Sequence, residues 1–179
     1  MSIPAGEHTL GPANGSLTIK TMKAGAASKA GHNLVIEVGS WEANLTAGDG
    51  GADPSLVVRA DSRSLRVLEG TGGIKPLSED DKASIKSTID SEVLKGCAIE
   101  FRSTAISAGG GGFSVRGDLE LAGRRNPAAF EVSVGADGRV RATATVKQTA
   151  WGIKPYSALF GTLKVLDDVQ VVAEAKLPA

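Results

Sequence analysis

The sequence predicts an all-β fold, an eight-stranded antiparallel barrel carrying one amphipathic helix. Three observations predict it. Hydrophobicity alternates with period two through most of the chain, and the alternating runs are rich in Val, Ile, Thr and Leu. The runs end at Gly, Asp or Pro clusters short enough to be hairpin turns, so neighbouring strands are antiparallel. A set of eight such strands can close on itself and remove its sticky edges, with a two-sheet sandwich as the alternative architecture.

Taken in order, the candidate strands are 15–21 (GSLTIKT), 33–45 (NLVIEVGSWEANL), 55–67 (SLVVRADSRSLRV) and 97–107 (CAIEFRSTAIS). They continue with 113–122 (FSVRGDLELA), 127–135 (PAAFEVSVG), 139–149 (RVRATATVKQT) and 163–176 (LKVLDDVQVVAEAK). Gly109 to Gly112 and Ala136-Asp137-Gly138 supply turns that tolerate positive φ. One segment, LSEDDKASIKSTIDSEVLKG, breaks the alternation. Ser78 and Asp81 have the spacing of a capping box, and Ile85, Ile89 and Val93 recur every four residues, so a helix is expected over about 78–95. Glu79, Asp80 and Asp81 suit the positive end of its dipole, and its single apolar face should lie across a sheet or barrel end.

The inward faces are small. Val140, Ala142, Ala144 and Val146 alternate with Arg141, Thr143, Thr145 and Lys147, and Val169, Val171, Ala173 and Ala175 form a second apolar row. Aromatic residues are only 4% of the chain. Such a lining underfills an eight-stranded barrel, which leaves three outcomes: a flattened barrel, a core plugged by the helix, or a cavity occupied by an apolar ligand.

Composition narrows the function. The chain has 179 residues, 41% of them hydrophobic and 22% charged, the range of one globular domain over 1–179 with a core barrel of about 15–176. Its 20 basic residues balance 20 acidic ones, so no long-range field recruits nucleic acid. Cys97 is alone, which excludes an internal disulfide and a multi-thiolate metal site. Neither a signal peptide nor an apolar run of membrane-spanning length is visible, so a cytoplasmic location is expected.

Motifs that carry chemistry are scarce. EGTGGIK, Glu69 to Lys75, superficially resembles a phosphate loop, but Pro76 stands where the phosphate-binding helix should begin. His8 and His32 are the only histidines and neither has a partner at metal-ligand spacing, so no metal or cofactor is expected. His32 sits where a loop enters the second strand; it is either a hydrogen-bonded structural group or a polar anchor for a ligand. A Gly-x-Ser-x-Gly elbow is absent and the acidic residues lie at the helix start or on outward positions, so no enzyme is expected.

Five stretches in order, SKAGHNLVIEVGSWEANL, ADSRSLRVLEGTGGIKPLSEDDKASIKSTIDSEVLKG, IEFRST, GDLELAGRRNP and WGIKPYSALFGTLKVLDDVQVVAEA, resemble the YceI-like family. They span residues 28–175. The resemblance implies a lipocalin-like eight-stranded barrel with a helix between two strands. It also implies a tunnel for polyisoprenoid or fatty-acyl chains, and frequent dimers. By position it places the tunnel near Gly31 and His32, and near Trp151, Gly152 and Ile153.

The expected function is therefore binding of a long apolar ligand, a polyisoprenoid, isoprenoid quinone or fatty-acyl derivative. The expected lining comprises His32, Leu34, Ile36, Trp41, Phe101, Phe113, Phe130, Val140, Ala142, Ala144, Trp151, Ile153, Tyr156 and Phe160. Within it, Trp151 to Pro155 should form an elbow at the barrel mouth, and a helical turn over about 156–161 should carry Tyr156, Leu159 and Phe160 to the entrance as a gate. Two alternatives stand beside this reading: a haem-binding or enzymatic barrel using His32, and a ligand-free interaction module.

Overall fold

A computed structural model of the chain describes residue 3 and residues 5–177. The described chain runs β1 (Gly6–Leu10), β2 (Gly15–Thr21), β3 (Lys23–Ala24), β4 (Asn33–Val38), β5 (Trp41–Ala47), β6 (Ser55–Ala60) and β7 (Leu65–Thr71). The helix α1 (Glu79–Thr88) follows, then β8 (Ile99–Gly109), β9 (Gly112–Leu121), β10 (Arg124–Val134) and β11 (Arg139–Lys147). The last elements are β12 (Ser157–Ala158), β13 (Leu163–Val165) and β14 (Asp168–Lys176).

The all-β expectation holds, but the count and closure differ. One antiparallel sheet has eleven strands in the order β1-β5-β6-β8-β9-β10-β11-β14-β2-β4-β7, and β12-β13-β3 form a second small sheet. The large sheet curls into a half-barrel that is open: β1 and β7 are its edges and share no ladder. The eight-strand reading merged β4 with β5 and β6 with β7. Each of those runs bends at a corner, Gly39–Ser40 and Asp61–Ser64, and the two halves lie at opposite ends of the strand order. The corners are bonded to each other: the Gly39 amide donates to the Ser64 carbonyl at 3.0 Å, and the Asp61 amide to the Ser40 carbonyl at 2.9 Å. The sheet is thus tied across its ends by two bent chains rather than by a ladder.

Strand β2 has the bounds the alternation predicts, and β8 to β11 lie within a few residues of theirs. The predicted final strand divides into β13 and β14. The expected helical turn over about 156–161 is shorter: Ser157 and Ala158 are extended, and only Leu159–Gly161 turns.

Helix α1 begins as its sequence dictates. The Ser78 hydroxyl accepts from the Asp81 amide at 3.1 Å and the Asp81 carboxylate accepts from the Ser78 amide at 2.9 Å, a reciprocal cap. A π-helical turn, Ile89–Val93, extends the helix and closes on the Leu94 amide. Ile85, Ile89 and Val93 pack on the core formed by Ile36, Val38, Trp41, Leu65 and Val67, so the helix lies along the edge strand β7. The Ser78→Ala protein should lose about 1 kcal/mol of stability, seen as a lower urea midpoint at constant slope. An unchanged midpoint would mean that the cap is dispensable.

Candidate functional site

Inside the curl lies a cavity of about 1050 Å³. Its walls follow from alternation. Residues Val140, Ala142, Ala144 and Val146 of β11 and Val169, Val171, Ala173 and Ala175 of β14 all border it, while Arg141, Thr143, Lys147, Gln170 and Glu174 between them are exposed and Val172 is buried. In the β11–β14 register Ala142 stands opposite Ala173, and Ala144 opposite Val171, so the middle of this wall is thin. Among the described residues no side chain is sealed below 2% exposure. A domain of this size normally packs its centre to crystal-like density; here the inner face borders unfilled space.

The far wall is bulkier. Phe101 and Phe130 stack with ring centroids 5.1 Å apart and tilted by 58°, and Gly117 lies beneath them. A Cβ at Gly117 would meet the Phe101 ring tip at 2.6 Å and overlap the Arg102 carbonyl, so only glycine lets β8 and β9 approach there. The open side of the curl is walled by α1 and its extension, which present Ile85, Thr88, Ile89 and Val93 to the cavity.

The lining reaches exposed residues at both ends, Tyr156 and Lys164 at one and Ala136 and Asp137 at the other. Nine-residue strands such as β11 and β14 give the passage a length of about 30 Å at ~3.3 Å per residue. That is the shape for an extended chain.

Of the residues expected to line the site, His32, Leu34, Ile36, Trp41, Phe101, Phe113, Phe130, Val140, Ala142, Ala144, Ile153 and Tyr156 border the cavity, as does Gly31. Trp151 and Phe160 are not among the residues that border it. Trp151 is buried beside the cavity wall, packed with Val146 and Ile153 against Leu119, Leu121 and Ala128. Its indole Nε1 donates to the Leu119 carbonyl at 3.0 Å, which clamps the elbow onto β9. Phe160 is fully exposed and is not part of the cavity lining, where it was expected to stand as a gate. Its backbone explains this: Leu159 and Phe160 have φ of 50° and 56°, the left-handed region, and nothing in local hydropathy signals that reversal.

The elbow is built from Gln148–Trp151, a 3-10 turn ended by Gly152 at φ 71°. The Arg124 guanidinium lies over Gly152 where a side chain would otherwise project. The Asp167 carboxylate accepts from the Thr149 amide at 2.8 Å and from its hydroxyl at 2.6 Å. Those bonds from Thr149, with Lys147 nearby, hold the Asp167 carboxyl below the usual carboxylate range. A depressed folded value means the contribution is present above the unfolded value and lost as pH falls through the folded one. The chemical shift of the Thr149 amide should therefore follow the Asp167 carboxyl with a midpoint below the ordinary carboxylate range; a midpoint at the ordinary value would show that the clamp is not formed.

His32 borders the cavity but is engaged. Its Nε2 lies 2.7 Å from the Lys75 carbonyl, which can only accept, so Nε2 carries the proton. The ring also lies against Gly73, filling the space a Cβ would take. Among the described residues no group of three or more His, Cys, Asp or Glu side chains could hold a metal ion, and no helix is long and apolar enough to cross a membrane.

Several cavity residues escaped the sequence reading, notably Trp41's neighbours Ala43 and Leu45, together with Leu56, Val58, Leu65 and the helix residues. A signal was available. Inward positions are even in β4 (Leu34, Ile36, Val38) and odd in β5 (Trp41, Ala43, Leu45), and the same slip separates Leu56 and Val58 from Leu65. A change in the phase of alternation marks a corner.

Comparison with known proteins agrees with this architecture. The sequence pattern of the YceI-like domain matches residues 9–177. Among solved structures, BcnA of Burkholderia cenocepacia superposes with a TM-score of 0.64 at 14% identity, over 89% of this chain and 94% of that one. A structure from Saccharophagus degradans, described as a polyisoprenoid binding domain implicated in plant cell wall breakdown, superposes with a TM-score of 0.55 at 11% identity, over 98% of this chain and all of that one. Identities this low speak to the fold alone. No curated protein matches the chain.

Proposed function

The chain belongs to the YceI-like family, and from that premise we propose that it is a binding protein holding one long apolar ligand inside the curled sheet. The ligand class is a polyisoprenoid, isoprenoid quinone or fatty-acyl chain. The observation that carries this reading is the cavity of about 1050 Å³, walled mainly by apolar side chains and bordered by exposed residues at both ends. The described specificity of the Saccharophagus degradans domain supports the polyisoprenoid class.

Energetics fit a carrier rather than a permanent trap. A tail of about fifteen carbons gains roughly 12 kcal/mol gross at ~0.8 kcal/mol per methylene. Association costs of about 4 to 15 kcal/mol offset much of that, so the cargo can be released. The walls are mainly apolar, with Thr21 Oγ1 buried among them, and exposed charges that border the cavity, Lys164 and Asp137, stand at its two ends, where a charged head group belongs. Binding without turnover is part of the proposal, and bound lipid should be recovered chemically unchanged. So are a cytoplasmic location and a homodimer, checked by cell fractionation and sedimentation velocity.

The test is native mass spectrometry after gentle purification, which should show a lipid-sized mass on the protein. An empty protein that also gains no thermal protection from added isoprenoids would overturn the reading. With Nε2 of His32 bonded to the Lys75 carbonyl, the haem alternative would have to ligate through Nδ1.

A further inference from the structure

The elbow end of the molecule differs from the rest of its surface in two independent ways. First, it gathers exposed apolar side chains. Of the seven large hydrophobic residues standing exposed among the described residues, six are here: Met22, Ile74, Tyr156, Leu159, Phe160 and Leu166. They form one patch because their segments are stitched together. Strand β13 pairs with both β12 and β3, the Leu166 amide donates to the Met22 carbonyl at 2.8 Å, and Lys23 Nζ bonds the Gly31 carbonyl at 2.9 Å and also the Gly72 carbonyl. His32 ties the loop bearing Ile74 and Lys75 to the same face.

Second, the charge is one-sided. Segments 20–34, 70–77 and 147–166 carry seven lysines and no aspartate or glutamate, although the 20 basic and 20 acidic residues of the chain as a whole balance. Lys29, Lys75, Lys154 and Lys164 lie among them. Acidic groups border these segments: Glu69 before the second, Asp167, which meets Lys147, and Asp168 after the third, and the first turn of α1 beyond Pro76. The backbone reinforces the display, since Leu159 and Phe160 are held at positive φ, a conformation bulky residues adopt only under constraint.

We propose that this face docks on the surface of an anionic lipid bilayer, with the cavity opening between Tyr156 and Lys164 set against the membrane. Apolar side chains ringed by lysines suit a lipid interface: the former enter the acyl boundary while the latter meet anionic head groups. The geometry gives an insoluble cargo a route between bilayer and cavity without crossing water. The purpose of the docking rests on the lipid-binding reading, but its measurement does not.

The experiment sediments the full chain with vesicles of equimolar phosphatidylcholine and phosphatidylglycerol at low ionic strength. The protein should pellet with them, remain in solution with pure phosphatidylcholine, and dissociate from the anionic vesicles as salt is raised. The Ile74→Ser, Phe160→Ser double variant should bind the vesicles about tenfold more weakly or worse, the scale set by burying one large apolar side chain. Its urea midpoint, and its affinity for a fluorescent fatty acid in vesicle-free solution, should match the parent. A parent protein that stays in the supernatant with anionic vesicles overturns the proposal. So does a double variant that pellets like the parent, or a dimer in sedimentation velocity that the double variant dissolves, since the face would then be a protein interface. The fatty-acid titration tests the cavity separately, so loss of that binding with vesicle docking intact would sink the carrier reading alone.

Discussion

The Ala142→Phe, Ala173→Phe double variant should lose its affinity for a long-chain fluorescent fatty acid by about a hundredfold, because two rings would fill the passage where its wall is thinnest. The two alanines face each other across β11 and β14 and both border the cavity. Rings projecting there would exclude about four methylenes of ligand, worth ~3 kcal/mol at ~0.8 kcal/mol each, or roughly a hundredfold. Overpacking a filled core is destabilising, but this wall borders unfilled space, so the urea midpoint should hold or rise. An unchanged fatty-acid affinity in a folded double variant would place the ligand somewhere other than the curl.

Trp151→Ala should have the opposite signature, a large loss of stability with little change in ligand affinity for the fraction that folds. Trp151 is 5% exposed and joins the elbow to Leu119, Leu121 and Ala128. Truncating it removes that packing and leaves a void, at a cost of about 3 to 5 kcal/mol. Trp151→Phe keeps most of the packing and removes only the bond to the Leu119 carbonyl, so it should cost about 1 kcal/mol. Denaturant midpoints give the stability and displacement of a fluorescent fatty acid gives the affinity. A Trp151→Ala protein of normal stability that released ligand faster would restore the tryptophan to the site.

What could be read from the sequence follows what is local. The row of β11 was legible because it alternates without interruption between clear turns, that of β14 because its inward positions stay apolar despite Val172 between them, and the helix start because its cap is a short-range bond between Ser78 and Asp81. The small inward side chains also pointed to an underfilled interior. The open sheet was not legible, since pairing between β4 and β7, or between β6 and β8, is a long-range choice. Only the phase slips at Gly39–Ser40 and Asp61–Ser64 betray it. Nor could hydropathy distinguish Trp151 from Phe160: both are aromatic residues in one elbow, yet a single indole hydrogen bond buries one and a left-handed backbone exposes the other.

The helix along β7 makes the compliance of the enclosure uneven. A ladder widens only by breaking backbone hydrogen bonds, whereas α1 meets the interior through Ile85, Ile89 and Val93, side chains that can slide without any such rupture. Girth is therefore adjustable on one side and fixed on the other. Cargo thicker than a straight chain, such as a branched isoprenoid, would press outward on the helix while the eleven strands kept their register. The same sheet could in this way accept chains of different cross-section, with the helix acting as the spring and the two bent corners as the clasp.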